Sequence, residues 1–191
     1  MQQTIKEEIL ESMRLKDSVA KDEVIISQVE NLVLKCLDCL KSGGKIIFCG
    51  NGGSFADAQH LTAEFVSRLR FDRKPLASIT LGTNNSCISA IGNDYGYDQV
   101  FSRELQALGT CKDIFIPITT SGNSPNVVEA IKVAKEFGMY TIALTGGSGG
   151  KIKDMCECII VPSSRTEKIQ EVHIMLGHIT CFLVEQKYFK P

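Results

Sequence analysis

A chain of 191 residues that is 43% hydrophobic can bury one sizeable core, so a single domain over residues 1–191 is expected. Its 21 basic and 22 acidic residues leave a formal net charge of −1, which offers no electrostatic footprint for nucleic acid or for an anionic membrane. The first residues, Met1–Glu8, lack the apolar core of an export signal, and the unbroken apolar stretches are strand-length, so a cytoplasmic protein with no transmembrane span and reduced thiols is expected despite eight cysteines.

Residues 3–41 predict two helices with a break near Asp17–Asp22. Ile5, Ile9 and Met13 recur at i, i+4, i+8, and Val24, Ile25, Val29, Leu32, Val33, Cys36, Leu37 and Leu40 continue at helical spacing. Cys36 and Cys39 match a C-x-x-C spacing, but among these leucines they read as small apolar packing residues, and Cys156-Glu-Cys158 is not half of a zinc ribbon. Gly43 and Gly44 close the second helix. From there strands are predicted at 45–49, 76–81, 113–118, 139–145 and 157–161. Helices are predicted at 55–69, 84–92, 98–108, 125–137, 149–154 and 166–189. Short apolar strands alternating with helices imply an α/β fold with a parallel sheet covered on both faces.

Two strand-to-helix turns stand out. Gly50-Asn51-Gly52-Gly53-Ser54 follows the first strand, and Thr119-Thr120-Ser121-Gly122-Asn123-Ser124 follows the third. Free N–H groups and the positive end of a helix dipole make such turns natural phosphate cradles, and hydroxyl side chains add donors without charge. Neither turn carries the G-x-G-x-x-G spacing or a Walker lysine. A tight connection alone would explain one such turn. Two in one small domain suggest a phosphorylated small molecule bound at the carboxyl edge of the sheet.

His60 and Glu64 are i and i+4 on the helix after the first turn, so they can share a metal ion or act as a base and its orienting partner. On the last helix His173 and His178 are five apart and face different directions. His173 reads as a packing residue; Gln170 and Glu171 lie near that helix's start. Arg68 follows Glu64 by four, which makes it a better site candidate than Arg70 or Arg103. Asn93 and Asp94 sit beside a glycine turn, where they suit sugar hydroxyls or a local Asx turn.

In order, Asn51-Gly52-Gly53-Ser54 with His60 and Glu64, Asn93-Asp94-Tyr95-Gly96-Tyr97, Thr120-Ser121-Gly122-Asn123-Ser124, and Ile169-Gln170-Glu171-Val172-His173 with His178 resemble the phosphoheptose isomerases, a branch of the sugar isomerase (SIS) domain superfamily. The resemblance spans nearly the whole chain. It implies a three-layer, doubly wound, five-stranded parallel sheet with a long C-terminal helix, and an N-terminal helical pair (1–41) used in oligomerisation. It implies a cytoplasmic homotetramer with active sites between subunits, interconverting sedoheptulose 7-phosphate and the aldoheptose 7-phosphate for bacterial surface polysaccharide. Substrate positions map onto Asn51, Gly52, Gly53, Asn93, Asp94, Thr119, Thr120, Ser121, Ser124 and Gln170, and Ser54, Glu64 and Arg68 are expected as further substrate contacts beside them. Metal positions map onto His60, Glu64, Gln170 and His178, with one zinc ion per subunit.

Such a reaction needs a base to carry a proton between neighbouring carbons and a group to move a proton between their oxygens. Glu64 is expected as the base and His178 as the acid. Gln170 and His178 are eight residues apart, about 12 Å of helix rise, so one of them must lean or come from another subunit. The rivals are a non-catalytic SIS tetramer that binds the replication initiator, an isomerase for another phosphosugar, and an SIS sensor module. Ser121 and His178 favour the isomerase over the initiator-binding relative.

Overall fold

In a computed structural model, which describes residues 1–190, the N-terminal pair forms α1 (Gln2–Ala20) and α2 (Glu23–Lys41). The break falls at Lys21–Asp22, because the Asp22 carboxylate caps α2 by accepting from the backbone N–H groups of Val24 and Ile25. The five strands are β1 (Ile46–Gly50), β2 (Ser78–Thr80), β3 (Ile114–Thr119), β4 (Tyr140–Gly146) and β5 (Glu157–Val161). They pair in parallel in the order β2-β1-β3-β4-β5. Chain direction across the sheet therefore reverses between β1 and β3, the position where open α/β sheets bind ligands.

The remaining helices are α3 (Gly53–Val66), α4 (Asn85–Tyr95), α5 (Val100–Leu108), α6 (Pro125–Glu136) and α7 (Thr166–Phe189). The side-chain alternation of the strands builds a core on each face of the sheet. Ile46, Phe48, Ile114, Ile116, Ile118, Ile142 and Leu144 point into one core with α2, α3 and α7. Ile47, Cys49, Phe115 and Ala143 point into the other with α5 and α6. This is the three-layer, doubly wound arrangement that the alternating pattern implies.

Four boundaries differ from the sequence expectation. α3 stops at Val66 instead of running to 69: the Arg73 guanidinium takes the carbonyl oxygens of Glu64 and Phe65, and the chain leaves the helix at Ser67. α4 runs through Gly92, Asn93 and Asp94 and ends at Gly96, whose φ of 88° suits only glycine well, so Asn93 and Asp94 are helical rather than part of a turn at Gly92. The 98–108 segment begins as a 3-10 turn at Tyr97–Gln99 before α5. Residues 150–154 form a 3-10 helix rather than an α-helix. Among the described residues, no helix is long and apolar enough to cross a membrane.

Candidate active site

Both glycine- and hydroxyl-rich turns leave adjacent strands at the same edge, since Gly50 of β1 is in register with Ile118 of β3. In the first turn Gly52 adopts φ 55° and precedes α3 without a side-chain cap, which leaves first-turn N–H groups of that helix facing the edge. In the second, Ser124 precedes α6 with Pro125 at the first helical position, and the Ser124 side chain caps no backbone N–H. Its hydroxyl instead lies 3.3 Å from that of Thr119. Ser121 is exposed, and its hydroxyl accepts from the Asn123 N–H at 3.2 Å.

The turns are joined to each other. Asn51 and Asn126 exchange two amide hydrogen bonds of 2.9 Å each, and the Tyr97 hydroxyl donates to Asn51 Oδ1 at 3.2 Å. Asn126 is buried at the start of α6. The Gln170 side chain, arriving from α7, lies against the backbone of Gly53, and its amide donates to Ser54 Oγ at 3.4 Å.

Further along α3 lies the acid–base group. His60 and Glu64 share one helix face, with Nε2 and Oε1 3.3 Å apart. α7 runs alongside and brings His178 in, its Nε2 2.8 Å from that of His60, with the rings edge to face. The ligand atoms of His60, Glu64 and His178 all lie within 4.8 Å of one another. Two imidazoles and a carboxylate are the donor types that hold a catalytic zinc ion with one position open to substrate, so the set fits such an ion. Glu64 is largely covered, whereas the His60 side chain is 51% exposed, so the cluster opens outward from α3.

A family model described as the SIS domain matches residues 11–146. The chain is 48% identical over its whole length to a phosphoheptose isomerase of Aneurinibacillus thermoaerophilus, covering 96% of that protein. The chain belongs to the phosphoheptose isomerase family. It is also 47% identical, over 97% of its length and 92% of the relative's, to phosphoheptose isomerase 2 of Campylobacter jejuni. The solved phosphoheptose isomerase of Neisseria gonorrhoeae superposes with a TM-score of 0.90 at 43% identity, covering 97% of this chain and 98% of that one.

Within one chain of this phosphoheptose isomerase family member, the expected site residues separate into groups. Asn51, Gly52, Gly53, Ser54, Thr119, Thr120, Ser121, Ser124 and Gln170 belong to or adjoin the two turns, and His60, Glu64 and His178 form the cluster beside them. Gln170 bonds the first turn rather than the histidine cluster. Asn93 and Asp94 lie on the outer face of α4, where the Asn93 amide donates to Asp94 Oδ1 at 2.8 Å, in an open groove with Asn85, Ser86 and Ser89. Arg68 is exposed beyond the end of α3, so it does not share the helical face of Glu64. Arg70 stacks on Phe182 and Arg103 on Tyr95, each in a cation–π contact. His173 is fully buried, its Nε2 3.0 Å from the Thr145 carbonyl oxygen, and burial pushes its pKa down to about 4. It is the packing histidine that its place on the helix suggested.

Three residues near the site are not among the site residues expected from the sequence. Asn126 looks like an ordinary polar residue after a helix-starting proline. Tyr97 closes the Asn93–Tyr97 motif, but nothing local shows that its hydroxyl reaches Asn51. Asp57, one turn before His60, has a buried Oδ2 without a hydrogen-bond partner, and burial raises its pKa to about 6 against the opposing pull of His60.

Proposed function

We propose that the chain interconverts sedoheptulose 7-phosphate and D-glycero-D-manno-heptose 7-phosphate in the bacterial cytoplasm, supplying heptose for surface polysaccharide. The observation that carries this reading is the convergence of His60, Glu64 and His178 from two helices, beside turns built to hold an anion. The phosphate is held by the Gly52–Ser54 and Thr119–Ser124 turns, through main-chain N–H groups and the hydroxyls of Ser54, Thr119, Thr120, Ser121 and Ser124. Asn51 and Gln170 donate to the sugar hydroxyls nearer the reacting end.

In the ketose-to-aldose direction Glu64 takes a proton from C1, leaving a cis-enediolate, and returns it to C2. His178 moves a proton from O1 to O2, so that the carbonyl passes from C2 to C1 without net gain or loss. His60, Glu64 and His178 would hold a divalent ion such as zinc. Such an ion, when bound, polarises a carbonyl and stabilises adjacent oxygens. Gln170 would join that ligand set only from another subunit, because it is a two-turn helix displacement, about 12 Å, away from His178 along α7.

A homotetramer with sites between subunits fits the exposed apolar side chains of Ile5, Ile9 and Met13 on α1, Ile26 and Leu34 on α2, and Ile179 on α7. Packing one copy's α4 against another's turns would carry Asn93 and Asp94 to the substrate; Arg68, exposed beyond the end of α3, is a candidate phosphate partner in that assembly. The deciding experiment supplies sedoheptulose 7-phosphate to the purified protein and separates the aldose by chromatography. Conversion is expected; no conversion by a folded, zinc-supplemented tetramer would overturn the reading.

A further inference from the structure

The second turn is braced from behind by the 3-10 segment Gly150–Asp154. The Ile152 N–H donates to the Gly122 carbonyl oxygen at 3.2 Å, and the Lys151 N–H donates to Asn123 Oδ1 at 3.0 Å. Contact is close enough that any side chain at Gly122 would collide with the Gly149 carbonyl. The other end of the same peptide segment is tied to sulfur. The Ile152 carbonyl oxygen accepts from the N–H groups of Met155 at 2.9 Å and Cys156 at 3.2 Å, with Cys156 Sγ 3.8 Å and Cys158 Sγ 3.7 Å away, and Cys158 Sγ also lies 3.5 Å from the Cys156 carbonyl oxygen. One residue thus connects a pair of thiols to the turn.

We propose that Cys156 and Cys158 are an oxidation site for small hydroperoxides, and that their disulfide releases the brace on the Thr119–Ser124 turn. The sulfurs are neighbours on one side of the chain as it enters β5, and Cys156 is half-buried and open to a small reagent. The two thiols hydrogen-bond to each other, with Lys153 nearby, so the pair gives up its first proton more readily than a lone thiol and its second less readily. Reactive thiols have this character, a stabilised thiolate next to a resolving partner. Of the other six cysteines, Cys87 is half-buried and Cys111 exposed, and four differ more sharply. Cys36, Cys49 and Cys181 are buried with their thiols pushed up by desolvation, and Cys39 is raised to about 11 by burial.

The chemistry balances with the peroxide as oxidant. Cys156, the accessible sulfur of the pair, attacks a peroxide oxygen as its thiolate; an S–O bond forms, the O–O bond breaks, and the leaving hydroxide takes a proton to become water. Cys158 then attacks the Cys156 sulfenic sulfur; an S–S bond forms, the S–O bond breaks, and the hydroxide leaves as water with the Cys158 proton. Two thiols and one hydrogen peroxide become one disulfide and two waters. Cys156 lies in the bend just before β5, and even fully extended chain spans only about 6.6 Å over two residues, within the roughly 6.8 Å limit between the Cα atoms of a disulfide. Closure therefore draws Cys156 inward and pulls its N–H and its sulfur away from the Ile152 carbonyl.

The test treats the whole protein with hydrogen peroxide, alkylates the remaining thiols and maps peptides by mass spectrometry. The peptide holding residues 156–158 should lose two hydrogens and escape alkylation, and dithiothreitol should reverse this. Amide hydrogen exchange across residues 119–124 should then speed up in the oxidised form, and its affinity for inorganic phosphate should fall about three- to tenfold, the scale of one or two hydrogen bonds. Cys156→Ser and Cys158→Ser should each abolish both responses to peroxide. If Cys156 and Cys158 remain alkylatable while Cys111 oxidises, the site is overturned. If the disulfide forms and exchange in the turn is unchanged, the brace is overturned. The phosphate readout alone rests on the function proposed above, and the exchange readout separates its failure from a failure of the brace.

Discussion

Asn51 and Asn126, 75 residues apart in the chain, face each other as a closed amide pair, each donating to the other at 2.9 Å. The pair ties the turn after β1 to the first turn of α6 across the reversal point of the sheet. With Tyr97 also donating to Asn51 Oδ1, the Asn51 side chain has its orientation fixed before any ligand arrives. A site that holds a phosphate and a sugar with two separate turns needs such a tie, because catalysis falls steeply when the two halves shift by an ångström.

Replacing Asn126 tests this tie. Asn126→Ala removes both bonds and leaves the half-buried Asn51 with the Tyr97 hydroxyl as its one remaining partner, which should cost about 1–2 kcal/mol of stability. Asn126→Asp keeps the shape but supplies no donor to Asn51 Oδ1. Both variants should raise KM several-fold with a smaller loss in kcat, because Asn126 touches no reacting atom. Steady-state kinetics alongside thermal denaturation checks the split; a kcat collapse with unchanged KM would show that Asn126 acts in the chemistry itself.

Glu64 and His178 should behave differently. Glu64→Gln and His178→Ala are each expected to lower kcat by about a hundredfold or more, the usual scale for a general acid or base. Ser121→Ala and Ser124→Ala should chiefly raise KM, since their hydroxyls share the phosphate with main-chain donors. Isotope exchange from solvent into the substrate's C1 and C2 positions separates the roles: Glu64→Gln should stop it, and near-normal exchange would remove Glu64 as the base.

The cation site has its own readout. His60→Ala and His178→Ala should each lower bound zinc measured by elemental analysis of the folded protein, because losing one of three protein ligands leaves two. Zinc binding should also weaken in acid, as the ligands must be unprotonated to bind. Gln170→Ala should leave the metal content of a dissociated subunit unchanged, because within one chain its amide is engaged with Ser54.

Much of the fold is legible in the sequence because short apolar runs alternate with helical periods, and each strand alternates its residues between two cores. The limits of α3 are not, because its end is set by Arg73 reaching back to the carbonyls of Glu64 and Phe65, a contact that no local pattern announces. The helical spacing of His60 and Glu64 is visible locally, but the third member, His178, is 118 residues from His60 and joins it only through the packing of α3 on α7. Asn126 and Asp57 stay hidden for a related reason: a polar residue early in a helix reads as surface until the neighbouring turn closes over it. Glu185 likewise reads as one charge on a long helix, yet it is fully buried.

Glu185 accepts from the backbone N–H groups of Leu69 and Arg70 and from the Arg73 guanidinium at 3.0–3.1 Å. Burial alone would raise its pKa, but these donors together hold the carboxyl below its ordinary value. A depressed carboxyl contributes stability that is present above its unfolded pKa and is lost as pH falls through the folded value. Arg73→Ala should strip α3 of its stop and leave Glu185 buried without its cation, costing about 3–5 kcal/mol. Urea titration at neutral pH checks this; a loss below 1 kcal/mol would mean that solvent replaces the guanidinium.

His173 gives the opposite kind of group with the same pH sign. Its pKa falls from an ordinary 6.5 to about 4 in the folded protein because burial opposes the charged ring, while the Thr145 carbonyl pulls weakly the other way. Between these values the unfolded chain binds a proton that the folded chain does not, so stability falls as pH drops from about 6.5 to about 4 and levels off below that. The drop should reach a few kcal/mol, since each pKa unit is worth about 1.4 kcal/mol. Denaturant melts of wild type and His173→Gln across that range check the assignment. The variant should lose most of the slope while keeping kcat near the wild-type value, and an unchanged slope would mean that another buried group carries the titration.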